Sequence, residues 1–162
     1  MTRTGFARAM VLTAPATYRR FPAIVALTIA LSIAWLLTDA LLATPAHAAN
    51  SQHRLLRMTN ETRRRHGTHA VRLRRRMSHL AHRHSRRMAR TRSLFHSSGL
   101  SRLGSTWGEN VGYTYRSVRS VHRAFMRSSD HRSNILAGRF HRIGLGLYRA
   151  HGRLWVTEVF AG

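Results

Sequence analysis

Apolar and polar positions form three different patterns along this chain of 162 residues. Residues 23–42 are almost continuously apolar. Two later segments repeat apolar residues at the spacing of a helix, and residues near 143–160 alternate with the period of a strand. The pattern therefore predicts an apolar N-terminal segment followed by a domain in which helices precede a β-hairpin.

The N-terminal segment has the features of an export signal. Four arginines precede the apolar run, and Ala46-His47-Ala48 fits the small-x-small pattern of a cleavage site. We expect residues 1–48 to be a signal peptide, cleaved after Ala48, and residues 49–162 to form a single domain. The alternative is an uncleaved anchor, because the run approaches the ~20 residues needed to span a bilayer.

The next segments predict two helices with a short connection. The first begins with Asn50 or Ser51 as its cap, runs to about Arg65 and is closed by Gly67. Residues 68–73 form a short strand or an extended link. The second helix spans residues 75–91, and its apolar stripe consists of Met77, Leu80, Ala81, His84 and Met88.

The middle of the domain is rich in glycine and serine. Residues 94–115 predict a long loop, and a loop of this length in a compact domain is usually functional. Residues 117–128 return to a helical pattern. In residues 128–136, Ser129 or Asp130 would cap a further short helix that carries His131 in its first turn and ends at Gly138.

Residues 143–160 predict a hairpin that turns at Ala150-His151-Gly152. Gly144 and Gly146 alternate with apolar residues, which leaves room for another element to pack closely on that face. Helices followed by a hairpin in a chain of this size indicate an α+β fold, with a small antiparallel sheet flanked by helices.

Composition adds two constraints. The chain has no cysteine, so an exported domain must rest on packing alone. All 28 basic residues are arginine, and the net charge is +23. Arginine-only usage follows from codon bias in a GC-rich genome, or it reflects selection for anionic partners. Outside the cell, we expect lipids, anionic cell-wall polymers or acidic proteins rather than nucleic acid as partners.

Three histidines of the second helix have alternative roles. His79 and His82 are three residues apart, a spacing that can chelate a metal ion, but no acidic residue or cysteine lies nearby. His84 lies on the apolar stripe and is expected to be a hydrogen-bonded core residue.

Several motifs follow one another in a fixed order. They are Phe95-His96, Gly108-Glu109-Asn110, Phe125 with Ser128, the run His131-Arg132-Ser133-Asn134-Ile135-Leu136, and Ile143-Gly144-Leu145-Gly146. The first helix adds Leu55, Asn60, Arg63 and Gly67. Together they resemble the CAP superfamily (cysteine-rich secretory, antigen 5 and pathogenesis-related 1 proteins), in its bacterial SCP-like branch without cysteines. The resemblance covers essentially all of residues 49–162.

This resemblance implies an α-β-α sandwich with a cleft lined by two histidines and two acidic residues, which holds a divalent cation in some members. His96 would be the first histidine, Glu109 the first acid and His131 the second histidine. The second acid should follow an aromatic residue by three positions, and that position is Ser128. The set therefore lacks one carboxylate, although zinc or another divalent cation could bind the remaining three residues.

The sequence leaves three functions open and assigns no catalytic residue. The first is a secreted or envelope-associated module that binds lipid, cell-wall polymer or protein. The second is a metal-dependent hydrolase that uses His96, Glu109 and His131, with Ser128 as a hydrogen-bonding group beside the metal. The third is an electrostatic binder of polyanions. The same three residues could also serve structure alone, by tying the long loop to the helix that follows.

Overall fold

A computed structural model describes residues 45–162, with side chains from residue 50 onward. The chain divides into two units, Met1–Leu42 and Ala43–Gly162, and the described residues belong to the second. The apolar run and most of the predicted signal peptide, residues 1–48, therefore lie outside the described residues. Among residues 45–162, no helix combines the length and the apolar character required to cross a bilayer.

The described residues form four helices, one 3-10 turn and four strands. The helices are α1 (Pro45–Arg65), α2 (Arg75–Thr91), α3 (Val118–Arg127) and α4 (Ser129–Leu136), with a 3-10 turn at Leu100–Leu103. The strands are β1 (Arg72–Leu73), β2 (Trp107–Thr114), β3 (Arg142–Ala150) and β4 (Arg153–Ala161). They form one sheet in the order β1-β3-β4-β2. The predicted α+β sandwich is thus confirmed, with one difference: β1 runs parallel to β3, so the sheet is mixed.

Segments with a clear period were predicted correctly. Helix α2 has the predicted bounds, and residues 68–73 contain the short strand β1. The hairpin pairs β3 with β4 along their whole length. His151 and Gly152 form its turn, and both have positive φ angles (52° and 70°), as a two-residue turn between right-twisted strands requires.

Three predicted helix boundaries are wrong. Asn50 and Ser51 lie inside α1, which begins at Pro45, because proline is well suited to a first helical turn. The cap position of α4 is Ser128 rather than Ser129 or Asp130. That helix ends at Leu136, where Ala137 adopts an extended conformation, and so Gly138 does not end it.

The predicted loop over residues 94–115 is also wrong in its second half, because residues 107–114 form β2. This strand pairs with β4 in register from Trp107 to Thr114. On the face that packs against α3 and α4, this strand carries Gly108 and Gly112 instead of apolar residues. Side chains from the helices fill that space: a Cβ at Gly112 would meet the Phe125 ring at 2.9 Å. The strand therefore lacks the alternation that identifies strands in a sequence.

Helix α2 packs on one face of the sheet at backbone distance. A Cβ at Gly144 would overlap the backbone of Met77, and one at Gly146 would overlap the backbone of Ala81. The Ser85 hydroxyl donates to the Gly146 carbonyl (3.0 Å) and pairs with the Thr157 hydroxyl (2.9 Å). The close packing expected from the two glycines is confirmed.

Helices α1, α3 and α4 cover the opposite face, where most of the large apolar side chains are buried. Within this layer the guanidinium of Arg63 is fully buried. It donates to four backbone carbonyls, those of His69, Ile135, Ala137 and Phe140, at 2.7 to 3.2 Å. Two of these carbonyls belong to the C-terminal end of α4, where a positive charge is favoured. Arg63 therefore holds α4 and the following turn against α1.

Candidate functional site

His96 and Glu109 form a direct pair at the edge of the sheet. The Nδ1 atom of His96 lies 2.8 Å from Oε2 of Glu109, and the side chains are 68% and 1% exposed. The carboxylate therefore lies beneath the imidazole. Because an ionised carboxylate only accepts hydrogen bonds, the His96 proton is on Nδ1, and Nε2 is the ring nitrogen available to a ligand.

The Glu109 carboxylate has one satisfied and one unsatisfied oxygen. Oε2 also accepts a hydrogen bond from the backbone N–H of Ser97 at 2.8 Å. Oε1 is buried and has no hydrogen-bond partner within the described residues, and the same is true of the Ser97 hydroxyl. Buried polar atoms of this kind are uncommon in folded proteins, which makes Oε1 a candidate contact for a ligand.

His131 is held by α3 and by the start of α4. Its Nδ1 lies 2.9 Å from the hydroxyl of Ser128, and its ring stacks on Phe125 at a centroid distance of 4.8 Å. Burial lowers the pKa of His131, the Asp130 carboxylate opposes this effect, and nearby His96 lowers the pKa further. His131 is therefore more weakly basic than an exposed histidine, which suits a neutral donor to a ligand or a metal ion.

Edge strand β2 is linked to both histidines. Glu109, whose carboxylate contacts His96, is followed directly by Asn110 in the strand. The side chains of these two residues therefore point to opposite faces of the sheet. The Asn110 amide donates to the His131 carbonyl (3.1 Å), and its oxygen accepts from Asn134 (3.0 Å). The structure therefore joins His131 to β2 through its backbone and joins His96 to β2 through its side chain.

Glu158 lies beneath this edge and was not singled out from the sequence. It is fully buried on β4, and its Oε2 accepts a hydrogen bond from Asn110 at 2.9 Å. Burial raises the pKa of Glu158 to about 7, and the hydrogen bond from Asn110 opposes the rise. A carboxyl in the middle of the apolar segment Leu-Trp-Val-Thr-Glu-Val-Phe is the signal that could have identified it, since a buried acid requires a partner.

The four predicted site residues thus form two pairs, His96 with Glu109 and His131 with Ser128. Among residues 45–162, no group of three or more histidine, aspartate or glutamate side chains is arranged to hold a metal ion. The predicted zinc set of His96, Glu109 and His131 therefore stays a prediction. Glu109 binds Nδ1 of His96, the position of an outer-shell carboxylate that orients a metal-binding imidazole.

The histidines of α2 have structural contacts. His84 Nε2 lies 2.7 Å from the Phe95 carbonyl, in agreement with its predicted role as a hydrogen-bonded core residue. His82 Nδ1 contacts the Leu147 carbonyl at 2.9 Å, and His79 Nε2 lies 3.4 Å from Nε of Arg75.

The sequence matches one protein family over most of the domain. The profile of the CAP family, the Cysteine-rich secretory protein family, matches residues 56–160. No curated protein matches the chain.

Solved structures with the same fold include proteins from three bacteria. An extracellular protein containing a SCP domain from Bacillus anthracis is 22% identical with a TM-score of 0.63, over 70% of this chain and 41% of its own. A cysteine-rich secretory protein from Staphylococcus aureus is 19% identical with a TM-score of 0.54, over 70% and 38%. An outer surface protein from Borrelia burgdorferi is 12% identical with a TM-score of 0.63, over 68% and 91%. The match spans about two fifths of the first two proteins.

Proposed function

Because this chain belongs to the cysteine-rich secretory protein (CAP) family, we propose that it is a secreted or envelope-associated module that binds its ligand at the edge of β2. The ligand class is lipid, cell-wall polymer or protein. The observation that carries the proposal is the pairing of the polar site residues. Each of the two histidines is fixed through its Nδ1 atom, His96 by Glu109 and His131 by Ser128, which leaves their Nε2 atoms for the ligand.

Location outside the cell is part of this proposal. The predicted export signal supports it, as do the descriptions of two proteins with the same fold. The Bacillus anthracis protein is described as extracellular and the Borrelia burgdorferi protein as an outer surface protein. Mass determination of the N-terminus of the exported protein would distinguish cleavage after Ala48 from an uncleaved anchor.

Co-sedimentation tests the binding site. The full chain is mixed either with phosphatidylglycerol vesicles or with purified cell-wall sacculi, and the bound fraction is measured. The variant His96→Gln/His131→Gln should lose most of the bound fraction, while the control His79→Gln/His82→Gln, on the exposed side of α2, should keep it. Equal sedimentation of both variants would contradict the proposed site, and no sedimentation of the wild type with either material would contradict lipid and cell-wall polymer as its ligand.

A second candidate is divalent cation binding, as the hydrolase alternative requires. It is favoured by the His96–Glu109 pair, which leaves Nε2 of His96 for a metal, and by the unpartnered Oε1 of Glu109. Two imidazoles with a carboxylate behind one of them fit a weak site. Within residues 45–162 no three such side chains are arranged as the protein ligands of a catalytic zinc, and so we derive no hydrolytic step from them.

Zinc titration by calorimetry on the full chain tests this candidate. We expect one weak saturable event near neutral pH that is lost in His131→Ala. Ser128→Asp, which restores the missing carboxylate next to His131, should strengthen binding by about tenfold. The absence of saturable binding, or unchanged binding in His131→Ala, would rule out both the cation site and the hydrolase.

A further inference from the structure

Five arginines line one groove on the side of α2 that faces solvent. The groove has a volume of about 450 Å³ and lies between α2 and the segment that follows it. Its basic residues are Arg83, Arg86, Arg87, Arg90 and Arg102. No acidic residue is among those that line it. We call this feature the arginine groove.

Four of these arginines lie on one face of α2. Positions 83, 86, 87 and 90 are three or four residues apart, so their side chains are neighbours on the helix surface. Like charges at this spacing destabilise a helix. Arg102 comes from the separate 3-10 turn, and a Cβ at Gly99 would lie 3.7 Å from its guanidinium carbon. The fold thus adds a fifth positive charge to a surface that already carries four.

Arg87 is held in position without an acidic partner. Its Nη2 lies 3.3 Å from Nδ1 of His84, and its guanidinium carbon is 5.2 Å from the centre of the Phe95 ring. His84 Nε2 donates to the Phe95 carbonyl, so Nδ1 of a neutral His84 accepts from Arg87. The guanidinium is therefore oriented by neutral groups and keeps its full charge for a ligand.

The charge of the groove is not neutralised inside the domain. Within residues 45–162, none of the groove arginines is within ion-pair distance of a carboxylate, and the one contact between a basic and an acidic side chain at that distance is His96 with Glu109. The groove also contains Ser97, whose buried hydroxyl has no partner in this part of the chain. A concave surface of one charge sign with an unused hydroxyl attracts anions.

We propose that the arginine groove binds phosphate groups of a multiply charged anion. Guanidinium groups match phosphate oxygens through paired N–H bonds, and several of them around one groove suit a ligand with more than one phosphate. The proposal does not depend on the cleft at β2, because none of His96, Glu109 and His131 lines the groove. Its failure and that of the proposed function are therefore distinguishable.

The experiment uses the full chain and inorganic tripolyphosphate, with calorimetry at two salt concentrations. The variant Arg83→Gln/Arg87→Gln/Arg102→Gln removes two positive charges from α2 and one from the 3-10 turn. Because a hydrogen bond to a charged group contributes about tenfold or more in affinity, we expect this variant to bind at least about 100-fold more weakly.

The matched control is Arg119→Gln/Arg123→Gln/Arg127→Gln. It removes the same number of exposed charges from α3, where a second cavity also contains Glu61. Screening limits the reach of these distant charges, so the control should lose no more than about threefold. Thermal unfolding of both variants near the wild-type midpoint would show that they are folded.

A second arm distinguishes a soluble phosphate from a lipid headgroup. Vesicles of phosphatidylcholine with and without phosphatidylglycerol are sedimented with the same three proteins. Groove-dependent binding of tripolyphosphate, or of the phosphatidylglycerol vesicles, supports the proposal and identifies the source of the phosphate. Equal losses in the groove variant and the control, or no binding in either arm, would overturn it.

Discussion

Helix α2 contacts one face of the sheet through backbone atoms, whereas α1, α3 and α4 cover the other face through side chains. On the α2 side, Gly144 and Gly146 leave no space for an added carbon. On the other side, large apolar residues surround buried polar groups, among them Arg63 and Glu158. The two faces therefore differ in role. The α2 face fixes the position of a helix, and the other face supplies the hydrogen bonds of Asn110 to Glu158 and to the His131 carbonyl.

The largest expected effect tests whether the polar groups of the second face are required. Arg63→Met keeps the volume and removes four hydrogen bonds to backbone carbonyls. Buried carbonyls left without partners are costly, so we expect a loss of about 4 to 5 kcal/mol in the free energy of unfolding. Urea unfolding of the full chain measures it. The exposed Arg64→Met on the same helix is the control and should lie within about 0.5 kcal/mol of wild type.

The second prediction compares one substitution on the two faces. Gly146→Ala places a carbon against the Ala81 backbone, and the whole helix would have to move. Gly112→Ala meets the end of the Phe125 side chain, which can rotate. We expect losses of about 3 kcal/mol or more for Gly146→Ala and about 1 kcal/mol for Gly112→Ala in urea unfolding. Equal losses in the free energy of unfolding would mean that the two faces tolerate an added carbon equally well.

The third prediction uses pH to examine Glu158. Its pKa is raised to about 7 in the folded protein and returns to near its ordinary value of 4.5 on unfolding. The folded state therefore binds more protons in this range, and stability is lost as the pH rises from about 4.5 through about 7. Glu158→Gln cannot titrate, so it should be more stable than wild type above pH 7 by up to about 3 kcal/mol, and equal to it near pH 4.

This pH profile is taken as a difference between two proteins because other groups titrate as well. Burial lowers the pKa of His122, while Glu61 opposes the shift, and burial also lowers that of His131. Both histidines reduce stability as the pH falls below about 6.5, in wild type and variant alike. Unfolding curves from pH 4 to pH 9 should show the gap widening with pH. A constant gap would mean that Glu158 is not the titrating group.

The sequence predicts those parts of the fold whose pattern is set by local burial. Helix α2 and the β3–β4 hairpin have one buried face with a regular period, and both were located correctly. Strand β2 was missed because glycines and Asn110 occupy the face where Phe125 of α3 and Phe140, which follows α4, supply the apolar contacts. The start of α1 was missed because polar residues inside a helix resemble a cap.

The sequence identifies the residues of the candidate site but does not predict how they are arranged in space. Motif order indicates His96, Glu109, His131 and Ser128. It does not show that β2 links the two histidines, His96 through the Glu109 carboxylate and the His131 carbonyl through the Asn110 amide. This arrangement follows from the pairing of residues 107–114 with β4, which is a long-range contact. The sequence does not indicate Glu158 as a site residue, because its contact with the Asn110 amide is also long-range and is shown only by the fold.

The contact of α2 with the hairpin also determines when this domain can fold. The bond between Ser85 and Thr157 spans 72 positions, and the bond from Gln52 to the Leu145 carbonyl spans 93. Contacts between such distant positions slow folding, because a long loop must close before they form. The chain emerges from a ribosome or an export channel with its N-terminus first. Helix α2 therefore cannot pack on the complete sheet until β4 has emerged as well. We therefore expect most of the domain to stay unfolded until its final strand has emerged. A chaperone that binds the basic helices during that interval should raise the yield of folded protein.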